Sequence, residues 1–236
     1  MKKTYIIGFD GLHRAGKGSQ IEHLQKYLKS CDIYNVILRG DGTRGGRGPN
    51  AENPYDFESV WWRENLGYFK QEPASIEEAI SKLNLKSQRL NREIAAYKHC
   101  LDRSKSRESG VIILDRTFVS RFFTMRQYVP DITLEESLKL HHPVTKKKVE
   151  FAVPDCTFVL HTSKANLMNR IKAKHDGSEK YYFKENIVQN YFELFEEVLN
   201  KVKSIPGVNI LDANRHEVES HEEVISILSR LIQNGK

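Results

Sequence analysis

Five short apolar runs punctuate the chain, at Thr4–Phe9, Tyr34–Leu38, Val111–Leu114, Cys156–His161 and Val208–Leu211. They are rich in β-branched residues, most are bounded by Gly, Pro or Asp, and they lack polar alternation, which predicts strands covered on both faces. Between the first two, Ile21, Leu24, Gln25 and Leu28 fall at i, i+3, i+4 and i+7, so Gln20–Leu28 is expected to be a helix with one apolar stripe. Further helices are expected over Ile76–Arg107, Ala165–Lys174, Ile187–Val202 and Glu217–Ile232, the last carrying Val218, His221, Val224, Ile225, Leu228 and Leu231 at helical spacing. Strands alternating with helices predict an α/β fold with a mostly parallel sheet. Residues 40–73 and 129–154 hold Gly, Pro and charge clusters without a clear period. Loops of that kind often carry ligand specificity.

Composition narrows the picture without changing it. The 236 residues are 39% hydrophobic and 29% charged, which suits a globular domain with a real core and excludes a disordered or fibrous chain. No repeat of 20 to 50 residues is present. The longest apolar runs, such as Val111-Ile112-Ile113-Leu114, are far short of the roughly 20 residues of a membrane helix, so a soluble protein without membrane partners is expected. Met1-Lys2-Lys3 leads directly into the first apolar run, which Asp10 interrupts, and this reads as a strand rather than a targeting segment. Cys31, Cys100 and Cys156 are scattered and odd in number, which fits a reducing cytoplasm better than a disulfide framework. The formal charge of +6 is compatible with phosphate-rich ligands, nucleic acid or a solvated basic surface. No nucleic-acid motif accompanies it, so nucleic acid is not expected as a partner.

Chemistry enters at Gly11-Leu12-His13-Arg14-Ala15-Gly16-Lys17, which follows the first strand and precedes the first helix. A Gly-xxxx-Gly-Lys loop in that context turns backbone N–H groups inward around phosphates, adds the positive end of the helix dipole, and points a Lys at the β/γ-phosphates. Gly18 follows the Lys, so the hydroxyl that commonly helps hold Mg²⁺ arrives one place late, at Ser19. A second motif is Val111-Ile112-Ile113-Leu114-Asp115-Arg116, an acid delivered to the carboxyl end of a strand, where α/β sheets place ligands. Asp115 there serves either Mg²⁺ or a substrate proton, or else caps the next helix. Arg116 is suited to a phosphate fork.

These motifs resemble the thymidylate kinase-like branch of P-loop nucleoside monophosphate kinases. The resemblance is carried by Asp10 to Gln20; Asp115-Arg116 with Ser120; Pro154 to Leu160 followed by Leu167, Arg170 and Ile171; and Ile210-Leu211-Asp212-Ala213. It implies one P-loop kinase domain over 1–236, with a five-stranded parallel sheet, helices on both faces and a small lid at about 172–180. It also implies ATP- and Mg²⁺-dependent phosphoryl transfer to a small acceptor, a nucleoside monophosphate, and commonly a homodimer. By that resemblance Gly11, His13, Arg14, Ala15, Gly16, Lys17, Gly18, Ser19, Asp212 and Ala213 surround the nucleotide. Lys17, Arg14, Asp115, Arg116 and Arg170 act on the transferred group, and Asp115 with Ser19 holds the metal. The acceptor side takes Asp10, His13, Arg39, Arg116, Ser120 and Arg89 or Arg92, between which the spacing does not choose.

Several positions depart from the family pattern. His13 stands where an Asp usually meets the acceptor's sugar, Thr117 replaces the aromatic after Asp-Arg, and the Arg-Glu-Pro run is reduced to Arg39-Gly40-Asp41. All are expected to touch the acceptor, which leaves open a P-loop kinase for another phosphate acceptor, polyphosphate-linked kinases included, or a nucleotide-binding regulatory protein. Trp61-Trp62-Arg63 with Tyr68-Phe69 is expected to be core more readily than a stacking platform. His141-His142 and Lys146-Lys147-Lys148 fall in an apparent insertion with no metal-ligand spacing around them.

Overall fold

In a computed structural model, which describes residues 3–39, 71, 73–103, 110–141, 148–173 and 185–234, all five expected strands form. They are β1 (Thr4–Gly11), β2 (Asn35–Arg39), β3 (Gly110–Asp115), β6 (Cys156–His161) and β7 (Val208–Asp212). They make one parallel sheet in the order β2-β3-β1-β6-β7. The register pairs Phe9 with Asp115 on one side of β1 and with Phe158 on the other. Residues of alternating parity leave opposite faces, and both faces are covered, which is why the strands read as unbroken apolar runs.

On one face Ile6, Val36, Leu38, Ile112, Leu114 and Val159 pack under helices α2 (Ile76–Arg103), α3 (Phe118–Tyr128) and α6 (Glu185–Val202). On the other, Tyr5, Ile7, Phe9, Ile113, Phe158 and Leu160 pack under α1 (Lys17–Ser30) and α7 (Glu217–Asn234). A shorter helix, α5 (Lys164–Lys172), follows β6 and buries Leu167 and Ile171. Among the described residues no helix is long and apolar enough to cross a membrane.

The stretch at 129–154 has more order than its composition suggests. Thr133 and Glu136 form a reciprocal capping box at the start of α4 (Leu134–Leu138), a Thr-x-x-Glu signal that was open to reading in the sequence. An antiparallel pair follows, β4 (Lys139–His141) with β5 (Lys148–Glu150), burying Leu140. Helix α3 was also not assigned from the sequence. It is short and buries Phe118, Val119, Arg121, Phe122 and Met125 on a broad face, so no narrow stripe marks it. Its N-cap is Thr117, whose hydroxyl accepts from the Val119 amide, so Asp115 does not serve as that cap. Trp61, Trp62, Arg63, Tyr68, Phe69, His142, Lys146, Lys147 and the expected lid beyond Ala173 lie outside the described residues.

Candidate functional site

The carboxyl ends of β1, β3, β6 and β7 converge on a cleft of about 840 Å³, lined by His13 to Gln20, Asp115, Arg116, Arg170 and Ala213 among others. Its floor is the β1–α1 loop. Gly11 has φ +138° and Gly16 φ +107°, and a Cβ on Gly11 would meet the Leu160 carbonyl oxygen at 2.7 Å. Glycine is therefore required there both for its torsion and for the close approach to β6. Arg14 is also left-handed, with φ 67°. Gly16 caps α1 without a side-chain hydrogen bond and the first turn holds no acid. The helix thus presents its positive end to the cleft without a competing carboxylate in that turn.

Lys17 is the first residue of α1. It is buried, and its Nζ donates to the carbonyls of Gly11 at 2.8 Å and Leu12 at 3.0 Å, so its ammonium sits against the loop. Ser19 and Gly18 are exposed at the cleft. A Cβ built on Gly18 meets nothing within 4 Å, so the late hydroxyl is not imposed by crowding. Arg170 reaches across from α5, donating to the carbonyl of Ala15 at 3.0 Å and to that of Ala213 at 2.6 Å. It ties the loop to the β7–α7 turn while lining the cleft. Asp115 is partly exposed at the end of β3 and lines the same cleft.

A smaller cavity, about 230 Å³, adjoins the first through His13 and Arg116, which line both. Its other walls include Leu12, Ser120, Phe123, Gln127, Tyr191 and Phe195. Phe123 packs against Tyr191 and edge-on against Phe195, each pair with ring centroids 5.8 Å apart. One cavity is thus polar and cationic, the other largely apolar, with Arg116 at their junction.

No family model matches the chain. Over 242 aligned residues it is 24% identical to proteins named thymidylate kinase in two strains of Ureaplasma parvum serovar 3, covering 100% of this chain and 94% of each relative. The chain is distantly similar to thymidylate kinases along its whole length. At that distance the likeness suggests a nucleotide kinase-type phosphotransferase, and it agrees with the five-stranded parallel α/β fold, which is consistent with a P-loop kinase.

Set beside this kinase-like fold, the expected site residues divide. His13, Arg14, Ala15, Gly16, Lys17, Gly18, Ser19, Asp115, Arg116, Arg170 and Ala213 are brought together around the larger cleft, and Gly11 and Ser120 line the smaller cavity. Asp212 lines neither; its carboxylate accepts from the amide and side chain of Asn214 and lies 3.5 Å from Arg215, contacts that hold it below its usual range. Arg39 ends β2 beside Asp115, but its side chain lies outside the described residues. Arg89 is buried on α2 and paired with Glu93 at 2.7 Å, Arg92 is exposed, and neither lines either cavity.

Asp10 and Thr117 line neither cavity. Asp10 is fully buried and lines neither cavity, so it is not exposed to an acceptor. Thr117 is also buried, with its amide and hydroxyl directed at Asp10. Sequence reasoning also missed Phe123, Gln127, Tyr191 and Phe195. Phe123 and Gln127 follow Ser120 at i+3 and i+7, a helical spacing that becomes readable once α3 is recognised.

Proposed function

We propose that the protein is a P-loop kinase that transfers the γ-phosphoryl of ATP to a nucleoside monophosphate. The observation that carries this reading is the glycine-framed Gly11–Lys17 loop at the uncapped end of α1, opposite Asp115-Arg116 across one cleft. The loop's amides and Lys17 cradle the triphosphate, and Arg14 and Arg170 add positive charge around it. Arg116, at the junction of the two cavities, holds the acceptor's phosphate. Such transfer asks the protein for alignment and charge stabilisation rather than covalent chemistry.

Asp115 and Ser19 supply oxygen donors to the cleft, and Mg²⁺ is commonly held by one or two carboxylates together with substrate phosphates. The donor set therefore fits a cation that arrives with the nucleotide, and it fits no preformed cage: no group of three or more His, Cys, Asp or Glu suited to a metal exists among the described residues. When bound, the cation would neutralise charge on the phosphate oxygens. Asp115 would fix its place beside the loop.

The test is ADP release from Mg-ATP across ribo- and deoxynucleoside monophosphates, beside Lys17→Ala and Asp115→Ala. Turnover with one or a few monophosphates, lost in both variants, is expected. Release only with a non-nucleotide phosphate acceptor would replace the acceptor and keep the donor site. ATP binding without turnover on any acceptor would replace the kinase with a nucleotide-binding regulator.

A further inference from the structure

Arg116 has φ +77°, in the left-handed region that a long side chain rarely adopts. Strained torsions persist where the surroundings over-determine them, and they cluster at functional sites. Here the constraint comes from two consecutive residues of β1. The Arg116 amide donates to the carbonyl of Phe9 at 2.9 Å, and the amide of the next residue, Thr117, donates to Oδ2 of Asp10 at 3.0 Å. Arg116 is thereby pinned on both sides.

The carboxylate does more than close that turn. Its Oδ1 accepts from the Ser120 amide at 3.0 Å, and the hydroxyls of Thr117 and Ser120 donate to Oδ2 and Oδ1 respectively. Four donors thus meet one fully buried carboxylate, two of them from backbone at the start of α3. Burial pushes the group above its usual range, while the hydroxyls of Ser120 and Thr117 and the charges of Lys17 and Arg116 pull it back.

We infer that Asp10 is a positioning residue for Arg116: it locks the left-handed turn that aims the guanidinium into the junction of the two cavities, and so sets the acceptor phosphate against the Gly11–Lys17 loop. The inference rests on the phosphoryl-transfer reading for its consequence, and on the hydrogen bonds alone for its geometry. Asp10 is part of β1, one residue before Gly11, so the same strand end positions both the donor loop and the acceptor-side arginine. A change of position of about 1 Å at a reacting centre can cost roughly 100-fold in rate, which is why such a lock matters.

The experiment compares Asp10→Asn, which puts an NH₂ where an oxygen now faces donors, and Thr117→Val, which deletes one hydroxyl donor and keeps the branched shape should the first variant fold poorly. Each is measured alone and with Arg116→Ala, for acceptor KM, kcat and the Kd of ATP. We expect acceptor KM to rise about tenfold or more for Asp10→Asn and less for Thr117→Val, ATP Kd to stay within about twofold, and both effects to vanish in the Arg116→Ala background. An equal loss in both backgrounds, or a loss of ATP affinity instead, would overturn the assignment. A crystal structure of either variant decides the geometry without any turnover. Arg116 leaving the left-handed region supports the lock, and Arg116 unmoved in both variants removes it, even if the wild-type protein transfers to no monophosphate and the kinase reading has failed on its own.

Discussion

Two aspartates close two neighbouring strands and meet opposite fates. Asp10 is the penultimate residue of β1 and Asp115 the last of β3, offset by one position in a register that pairs Phe9 with Asp115. Asp10 turns inward, where four donors converge on its carboxylate, whereas Asp115 stays partly exposed at the cleft. A buried carboxylate whose lone pairs are all taken is well placed to hold backbone, and it has nothing left to offer a ligand. A carboxylate that keeps contact with the cleft can still bind a cation or a substrate. Similar sequence contexts, an apolar strand followed by an acid, therefore yield a buried anchor in one case and a cleft-lining carboxylate in the other.

Substitution should separate the two. Asp115→Ala is expected to lower transfer by about 10³-fold while moving the urea unfolding midpoint by no more than about 0.5 kcal/mol equivalent; a large stability loss would mean that it too is an anchor. Asp10→Ala should behave in reverse, leaving the buried donors of Thr117 and the half-buried donors of Ser120 without their acceptor and costing about 3 kcal/mol of stability by denaturant titration. A stable Asp10→Ala protein with intact acceptor kinetics would break the comparison. Gly18→Ser asks whether the cleft has unused room. With no atom within 4 Å of its Cβ, the added side chain should fit and raise stability by about 0.5 kcal/mol, with ATP-dependent activity retained.

The smallest effect concerns the contact of α1 with α7, where His23 stacks on His221 at 5.0 Å between ring centroids and approaches Glu217 at 3.5 Å. Burial and the charge of His23 hold His221 below its usual value, against the pull of Glu222. Its folded-state pKa is lowered, so the neutral form is favoured: this contribution is complete above the ordinary value of 6.5 and is lost as pH falls through it toward the folded-state value. His221 is only partly buried, so the slope should be shallow, and His221→Gln should flatten it in urea titrations between pH 7 and 5, a range of about two units around the unperturbed pKa.

The sheet was legible because its strands are buried on both faces: β6 begins and ends where its apolar run does, and the other strands differ from theirs by one or two residues at an end. The shape of the β1–α1 loop was legible for a similar reason, since Gly11 and Gly16 hold left-handed torsions that few other residues adopt. What could not be read was direction. Nothing in Phe9-Asp10-Gly11 says that the carboxylate faces Thr117 and Ser120, because both donors arrive more than 100 residues later in the chain. Arg121 shows the same limit. It reads as one more cation of a basic protein, yet it is buried, its guanidinium donates to Ser137 O, Leu83 O, Ser87 Oγ and Asn84 Oδ1, and burial lowers its pKa to about 10. It joins α2, α3 and α4 through neutral oxygens.

The sheet order also bears on how the chain comes to be folded during synthesis. β1 leaves the ribosome first, but the strands that flank it, β3 and β6, begin at Gly110 and Cys156, and β2 cannot bridge the gap because it borders β3 alone. At roughly 5–20 residues per second, β1 waits on the order of 5–20 s for its first partner, with both of its hydrogen-bonding edges unpaired. A topology so rich in distant pairings folds slowly once complete. A chain interrupted before Cys156 would carry the whole Gly11–Lys17 loop and lack the β6 carbonyl at Leu160 against which that loop is fitted.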